Sequence, residues 1–175
     1  MKRLALTVFV ALLTFPFLAE AEYRCEKPIG KLVLMPTRTI SVGVDTGVEP
    51  PTVSFPTEWV GSEIVSSNCF VLAETNEADF ALIVDPTVSY RDSRYFLLPR
   101  QVSANVTTGL SRIHGNRTVS SGYGSYKKEL KNDPSSEDYS GALKGALSSA
   151  LEDLFYKNLP FLEAGIEPPE LSLSQ

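Results

Sequence analysis

Residues 102–155 have the clearest secondary-structure pattern of the chain, and they read VSANVTTGLSRIHGNRTVSSGYGSYKKELKNDPSSEDYSGALKGALSSALEDLF. Their first part alternates apolar and polar residues on both sides of the turn 114–116, which predicts a long β-hairpin with a short loop. Ser135 then offers a helix N-cap, and apolar residues follow at helical spacing. These residues are Leu143, Leu147, Ala150, Leu151, Leu154 and Phe155. The stretch therefore predicts a long C-terminal helix after the hairpin, and we expect Pro160 to end it.

The residues before the hairpin add strands and one weak helix. Residues 31–44 alternate as a strand does when one of its faces is buried. The loop 45–56 is too rich in proline for a helix, and a short helix capped by Thr57 follows it. Residues 69–73 are β-prone, and residues 78–84 are apolar on both faces after Asp79, which predicts a strand covered on both sides. The predicted fold class is α/β (α+β), a single mixed β-sheet packed by one short and one long C-terminal helix.

The amino-terminal residues have the pattern of an export signal. A positive Met1-Lys2-Arg3 precedes an apolar run, and Ala19-Glu20-Ala21 fits the small-x-small cleavage rule. The run of about 15 apolar residues would span about 22 Å as a helix, which is less than the roughly 30 Å of a bilayer core. We therefore expect a signal peptide at 1–21, a single α/β domain at 22–162 and a flexible tail at 163–175. The mature protein should be periplasmic or secreted, with no stable membrane insertion.

The chain has two cysteines, Cys25 and Cys69, and both follow the predicted cleavage site. An even number of cysteines in an oxidising compartment favours a disulfide bond. Closing a loop of about 45 residues would stabilise the fold by about 4 kcal/mol in the chain-entropy model. Two reduced, buried thiols are the alternative.

Composition argues against several classes of function. The formal net charge is -5, so no broad basic surface is available for nucleic acid. The chain has one histidine, His114, which lies next to a glycine in the predicted turn and is expected to be solvated. The sequence lacks the G-x-S-x-G pattern of a nucleophile elbow. We therefore expect no catalytic site, no metal site and no cofactor.

Four aromatic residues are candidates for contact with a partner. Trp59 and Phe55 flank the start of the short helix, where they form either an exposed patch or part of the core under the proline-rich loop. Tyr123 and Tyr126 precede two lysines on the second hairpin strand, which reads as a strand edge with solvated lysines or as a contact for protein or glycan. Ser121-Gly122 is typical of a strand that meets another backbone closely.

The order of motifs resembles a group of small bacterial envelope domains. The residues that carry the resemblance are the strand 31–44, the helix 59–67, the "F-x-V" of Phe70-Val71-Leu72, the "A-D-F" strand at 77–84 and the V-S-S-G at 119–122. The group comprises the periplasmic domain of the curli secretion channel lipoprotein, the amino-terminal domain of the Tol-system propeller protein, the ring lipoprotein of Pel polysaccharide export and the penicillin-binding-protein activators. The resemblance implies an envelope accessory protein that docks to partners, and it transfers no functional residues.

The sequence therefore predicts a non-enzymatic secreted or periplasmic accessory protein. It would bind envelope or export-machinery proteins, or a second copy of itself, through a sheet edge or the loop 45–56. One alternative is a binding module for a glycan or small ligand, with Trp59, Tyr123 and Tyr126 exposed in one concavity. The other alternative is a secreted hydrolase with an unrecognised site.

Overall fold

The structure is a computed structural model, and it describes residues 24–35, 40–44, 52–92, 99–114 and 117–163. The predicted signal peptide lies outside the described residues, as does the predicted tail after its first residue. Most of the predicted loop 45–56 also lies outside them, although its end does not.

The described residues form one mixed sheet of seven strands and two helices. The elements are β1 (Gly30–Leu34), β2 (Ile40–Val44), β3 (Thr52–Val53), α1 (Thr57–Ser67), β4 (Phe70–Leu72), β5 (Phe80–Arg91), β6 (Arg100–Arg112), β7 (Arg117–Leu130) and α2 (Ser136–Glu163). The predicted fold class is confirmed, because α1 is the short helix and α2 the long C-terminal one.

The sheet is built around β5, the central long strand. One edge of β5 pairs with β6, which pairs with β7, so that these three strands form an antiparallel meander. The other edge of β5 carries β1 and then β2, both parallel to it and one after the other. The sheet continues from β1 to β4 and from β2 to β3. The predicted hairpin is thus confirmed as β6–β7, and the predicted strand 31–44 is two strands that share one edge of β5.

The hydrophobic core lies between one face of the sheet and the two helices. Helix α2 packs across β6 and β7, and α1 packs against β4 and β1. The predicted apolar stripe of α2 is confirmed, since all six of its residues are buried. The strand residues on the same side of the sheet are also buried, and they occupy every second position along each strand. They include Leu82, Val84 and Val88 on β5 and Val102, Val106 and Leu110 on β6.

Residues 78–84 were predicted to be covered on both sides, and this is wrong. Burial alternates along β5, and Ile83 is 51% exposed. The reason is that both helices lie on one face of the sheet, so every second residue of β5 points away from them.

Three boundaries also differ from the prediction. Thr57 is the first residue of α1 and not its cap. Pro56 takes the N-cap position, because its backbone is extended and its carbonyl oxygen accepts a bond from the N–H of Trp59 (3.1 Å). Residues 52–53 of the predicted loop form β3, because they pair with β2. Helix α2 continues past Pro160 to Glu163, since a proline removes one main-chain donor but has a helical φ.

Two glycines of β7 allow α2 to lie directly on the strand. A Cβ added at Gly122 would lie 2.7 Å from the main-chain N of Leu154, and it would also overlap the carbonyl oxygen of Ala150. A Cβ added at Gly124 would lie 3.0 Å from Cα of Ala150 and would overlap the carbonyl oxygen of Ala146. The predicted close approach of another backbone at Gly122 is therefore confirmed.

A reciprocal capping box begins α2. The main-chain N–H of Asp138 donates to Oγ of Ser135 (3.3 Å), and the main-chain N–H of Ser135 donates to Oδ2 of Asp138 (2.8 Å). The ammonium of Lys128 on β7 donates to Oδ1 of Asp138 (2.7 Å). The bond from Lys128 and those from Ser135 stabilise the carboxylate, and they lower the pKa of Asp138 to about 2. The cap thus ties the start of α2 to the end of β7.

We expect acid to weaken this cap. The folded-state pKa of Asp138 lies below its ordinary value of 3.8, so its contribution to stability is present above about pH 4 and is lost as the pH falls to about 2. Asp138→Asn should lower the free energy of unfolding at pH 7 and flatten the fall of stability between pH 4 and pH 2, as measured by urea unfolding at each pH. Glu137→Gln, which removes a charge from the same turn without touching the cap, is the control. An equal flattening in both variants would contradict the assignment.

Candidate partner-binding surface

Cys25 and Cys69 form a disulfide bond, as predicted, with their Cα atoms 4.9 Å apart. Both cysteines are buried. The residues around the bond reinforce it, because the N–H of Cys25 donates to Ser67 O (3.0 Å) and Nδ2 of Asn68 donates to Cys25 O (2.9 Å). The bond therefore anchors the chain before β1 to the junction between α1 and β4.

The second face of the sheet is covered by neither of the two described helices, and we call it the open face. The register places Ile83, Gly109 and Ser121 in one row across β5, β6 and β7. The next rows are Asp85, Thr107 and Tyr123, then Thr87, Asn105 and Ser125, and then Ser89, Ser103 and Lys127. Serine and threonine make up half of these rows, so most of this surface is polar and carries short side chains.

The open face has a gap between side chains at Gly109, which lies between Ile83 and Ser121 in its row. A Cβ added to this glycine would meet no atom within 4 Å. Ile83 stands beside it in the same row and is 51% exposed, whereas Tyr123 stands in the next row and is 56% exposed. The hydroxyl of Tyr123 donates to Oδ1 of Asn105 (2.9 Å), which fixes the ring direction. We call Gly109, Ile83, Thr107, Tyr123 and Ser121 the Gly109 hollow.

Two more exposed apolar side chains, Met35 and Val71, lie on the open face. Met35 follows the last residue of β1, and its N–H donates to Leu82 O (3.0 Å), which places it beside Ile83. Val71 of β4 lies opposite Lys31 of β1 on the same face. Met35 and Val71 are both among the exposed large hydrophobic residues. Met35 lies beside Ile83, whereas Val71 is displaced from them by about 13 Å along the strand direction, because Lys31 and Met35 are four residues apart. Neighbouring exposed apolar side chains such as Met35 and Ile83 are typical of interaction sites.

The four predicted partner-contact residues lie in different environments. Phe55 is only 5% exposed, and its ring meets that of Trp59 edge to face at 5.7 Å. Trp59 is partly buried, with the ammonium of Lys144 4.7 Å from its ring centroid. Tyr123 lies on the open face, whereas the ring of Tyr126 lies against Gly145 of α2.

These positions separate the three rings that a glycan module would bring together. Tyr123 lies on the open face of the sheet, whereas Trp59 and Tyr126 both contact α2 and so lie on the helix face. A concavity lined by all three rings is therefore not formed. Ile83 and Gly109 were not among the candidate residues predicted from the sequence. The signal for Ile83 was the alternation along the whole of β5, which places it in line with Asp85, Thr87 and Ser89.

Histidine and carboxylate side chains are the groups that acid–base or metal chemistry would use. His114 is exposed in the turn after β6, as predicted. Among the residues that the structure describes, no three or more His, Cys, Asp or Glu side chains are grouped so that they could hold a metal ion. Neither helix in this part of the chain combines the length and the apolar character that a bilayer span requires.

Comparison with known proteins finds likeness only among solved structures. No family model and no curated protein matches the chain. A DUF330 protein from Xanthomonas campestris is 14% identical, with coverage of 80% of this chain and 91% of that chain and a TM-score of 0.47. The PelC dodecamer from Paraburkholderia phytofirmans is 14% identical, with coverage of 73% and 89% and a TM-score of 0.36. A homologue of a neuraminyllactose-binding hemagglutinin from Helicobacter pylori is 10% identical, with coverage of 79% and 92% and a TM-score of 0.41.

The structures similar to this chain thus include PelC, the Pel export lipoprotein, which belongs to one of the families that the sequence resembles. The likeness concerns the arrangement of strands and helices, and it assigns no function or residue role to this chain.

Proposed function

We propose that this chain is a non-enzymatic accessory protein of the bacterial envelope or the secreted space, and that it binds another protein through the open face. The observation that carries the proposal is the Gly109 hollow, where Ile83 and Tyr123 stand exposed beside a glycine with free space above it. Tyrosine is one of the residue types that most often anchor a protein interface, and neighbouring exposed apolar side chains mark interaction sites. The surrounding hydroxyl groups would form its polar rim.

The chemistry of the open face favours binding over catalysis. Ser89 pairs with Ser103 and Thr87 with Asn105, whereas Thr107 lies opposite the carboxylate Asp85. A hydroxyl nucleophile needs an adjacent general base such as histidine, and the one histidine of the chain, His114, lies in the turn after β6 and not in these rows. Asp85 lies in the same row as Thr107 and Tyr123 of the hollow, and its carboxylate would suit a partner that presents a cation.

We place the partner in an oxidising compartment for two reasons. The disulfide bond between Cys25 and Cys69 is typical of exported proteins. The sequence of residues 1–21 has the charge, apolar run and small residues of a signal peptide. The partner is then an envelope or export-machinery protein with an apolar side chain that fits beside Ile83. Covering Ile83 and Tyr123, which are already about half buried, would contribute on the order of 1 kcal/mol each.

Photocrosslinking in the native host tests this surface. We expect Ile83→p-benzoylphenylalanine to give a discrete adduct whose mass is not a multiple of the chain's own. Gly109→Arg in the same chain should reduce this adduct at least about tenfold, because its side chain fills the hollow where no atom lies within 4 Å. Val65→p-benzoylphenylalanine, on an exposed position of α1, is the matched control.

The same adducts from positions 83 and 65 would contradict the proposal, as would an Ile83 adduct that Gly109→Arg leaves unchanged. Circular dichroism and the unfolding midpoint of Gly109→Arg should match those of the wild type, which shows that any loss of the adduct comes from the surface and not from the fold.

A further inference from the structure

Strand β7 forms an edge of the sheet, since among the described strands it pairs with β6 alone. The N–H of Tyr123 points away from β6, because it donates to Oδ2 of Asp153 on α2 (3.0 Å). Main-chain groups alternate in direction along a strand. The N–H and C=O groups of Ser125, Lys127 and Glu129 therefore also point outward.

The outer edge of β7 has a closed part and an open part. The carboxylate of Asp153 covers the edge at Tyr123. Beyond it, no other described main-chain segment joins the outward groups of residues 124–130. Unpaired main-chain groups in a row are a template for another strand. We call residues 124–130 the free edge.

Lysines often protect an edge strand from pairing. Each of the two lysines of the free edge has an acidic residue close to it. Lys128 points toward α2, where Oδ1 of Asp138 lies 2.7 Å from its ammonium. Lys127 lies on the open face of the sheet, two residues before Glu129 on the same face. The free edge thus carries one positive side chain, Lys127, and one negative side chain, Glu129, on the open face.

We propose that two copies of this chain pair antiparallel through the free edge, so that the sheet continues across a twofold axis. An antiparallel arrangement centred at Lys128 places Lys127 of each copy opposite Glu129 of the other and forms two ion pairs. The two Lys128 side chains then meet at the axis, where each is paired with Asp138 of its own copy. This surface is separate from the Gly109 hollow, so the two proposals stand or fall independently.

Three variants of the full mature chain test the pairing by analytical ultracentrifugation over a range of concentrations. We expect the wild type to be a dimer and Lys127→Pro to be a monomer, because proline removes the outward N–H that faces Glu129 of the other copy and removes no bond to β6. Lys127→Glu should weaken the dimer about tenfold or more, since two attractive pairs become repulsive. Lys127→Glu with Glu129→Lys should restore it, because the exchanged charges are again complementary.

A monomeric wild type would overturn the proposal. A dimer that both Lys127→Pro and Lys127→Glu leave intact would also overturn it, because it would have to use another surface. The charge exchange keeps the test valid if Lys127→Pro fails to fold. Gly109→Arg, which targets the hollow, should leave the dimer unchanged, and this result distinguishes failure here from failure of the proposed partner site.

Discussion

We expect Gly124→Val to lower the free energy of unfolding by about 3 kcal/mol or more, or to prevent folding at 37 °C. A Cβ at this position would overlap the carbonyl oxygen of Ala146 and lie 3.0 Å from Cα of Ala150. These are main-chain and Cα atoms of α2, and no rotamer change can move them. The helix would have to shift away from β7, and the contacts of its buried leucines would open with it.

Gly109→Val is the matched control for this substitution. Gly109 lies on the neighbouring strand β6, but its added Cβ would meet nothing within 4 Å because it faces away from α2. Valine also has a higher β-propensity than glycine, so we expect Gly109→Val to be neutral or slightly stabilising. Urea unfolding followed by circular dichroism measures both variants. Similar losses in the two would show that valine disturbs the strands themselves and not the contact between α2 and β7.

The elements that could be predicted from the sequence are those whose pattern is local. The spacing of Leu143, Leu147, Leu151 and Leu154 needs only the period of a helix, and their burial confirms it. The alternation of Val102, Ala104 and Val106 needs only the period of a strand. The disulfide bond followed from having two cysteines and a predicted route of export.

The features that could not be predicted depend on which face the helices cover. An apolar run such as Phe80-Ala81-Leu82-Ile83-Val84 is compatible with burial on one face or on both, and only the placement of α1 and α2 decides between them. The same placement leaves Ile83 and Tyr123 on the open face while it brings Tyr126 against α2. The hydrogen bond from the N–H of Tyr123 to Asp153 links residues thirty positions apart, so no local sequence pattern predicts it.

Removing the disulfide bond should also have a large effect. We expect Cys25→Ala with Cys69→Ala to lower the free energy of unfolding by about 3 to 4 kcal/mol, as measured by urea unfolding. The bond joins residues separated by 44 positions, so its loss frees a long loop in the unfolded chain. It also removes two buried sulfur atoms from the core beside β4. A loss below about 1 kcal/mol would contradict the expected loop constraint.

Asn68→Gly separates the covalent anchor from the hydrogen bonds around it. Asn68 has a left-handed backbone (φ 54°), which glycine adopts freely, so this variant removes only the bond from Nδ2 to Cys25 O. We expect it to cost about 1 kcal/mol or less. Because both cysteines are buried, dithiothreitol can reach the bond only when this corner opens. Asn68→Gly should therefore speed reduction under native conditions more than it lowers global stability, whereas equal effects would mean that the bond is exposed only by complete unfolding.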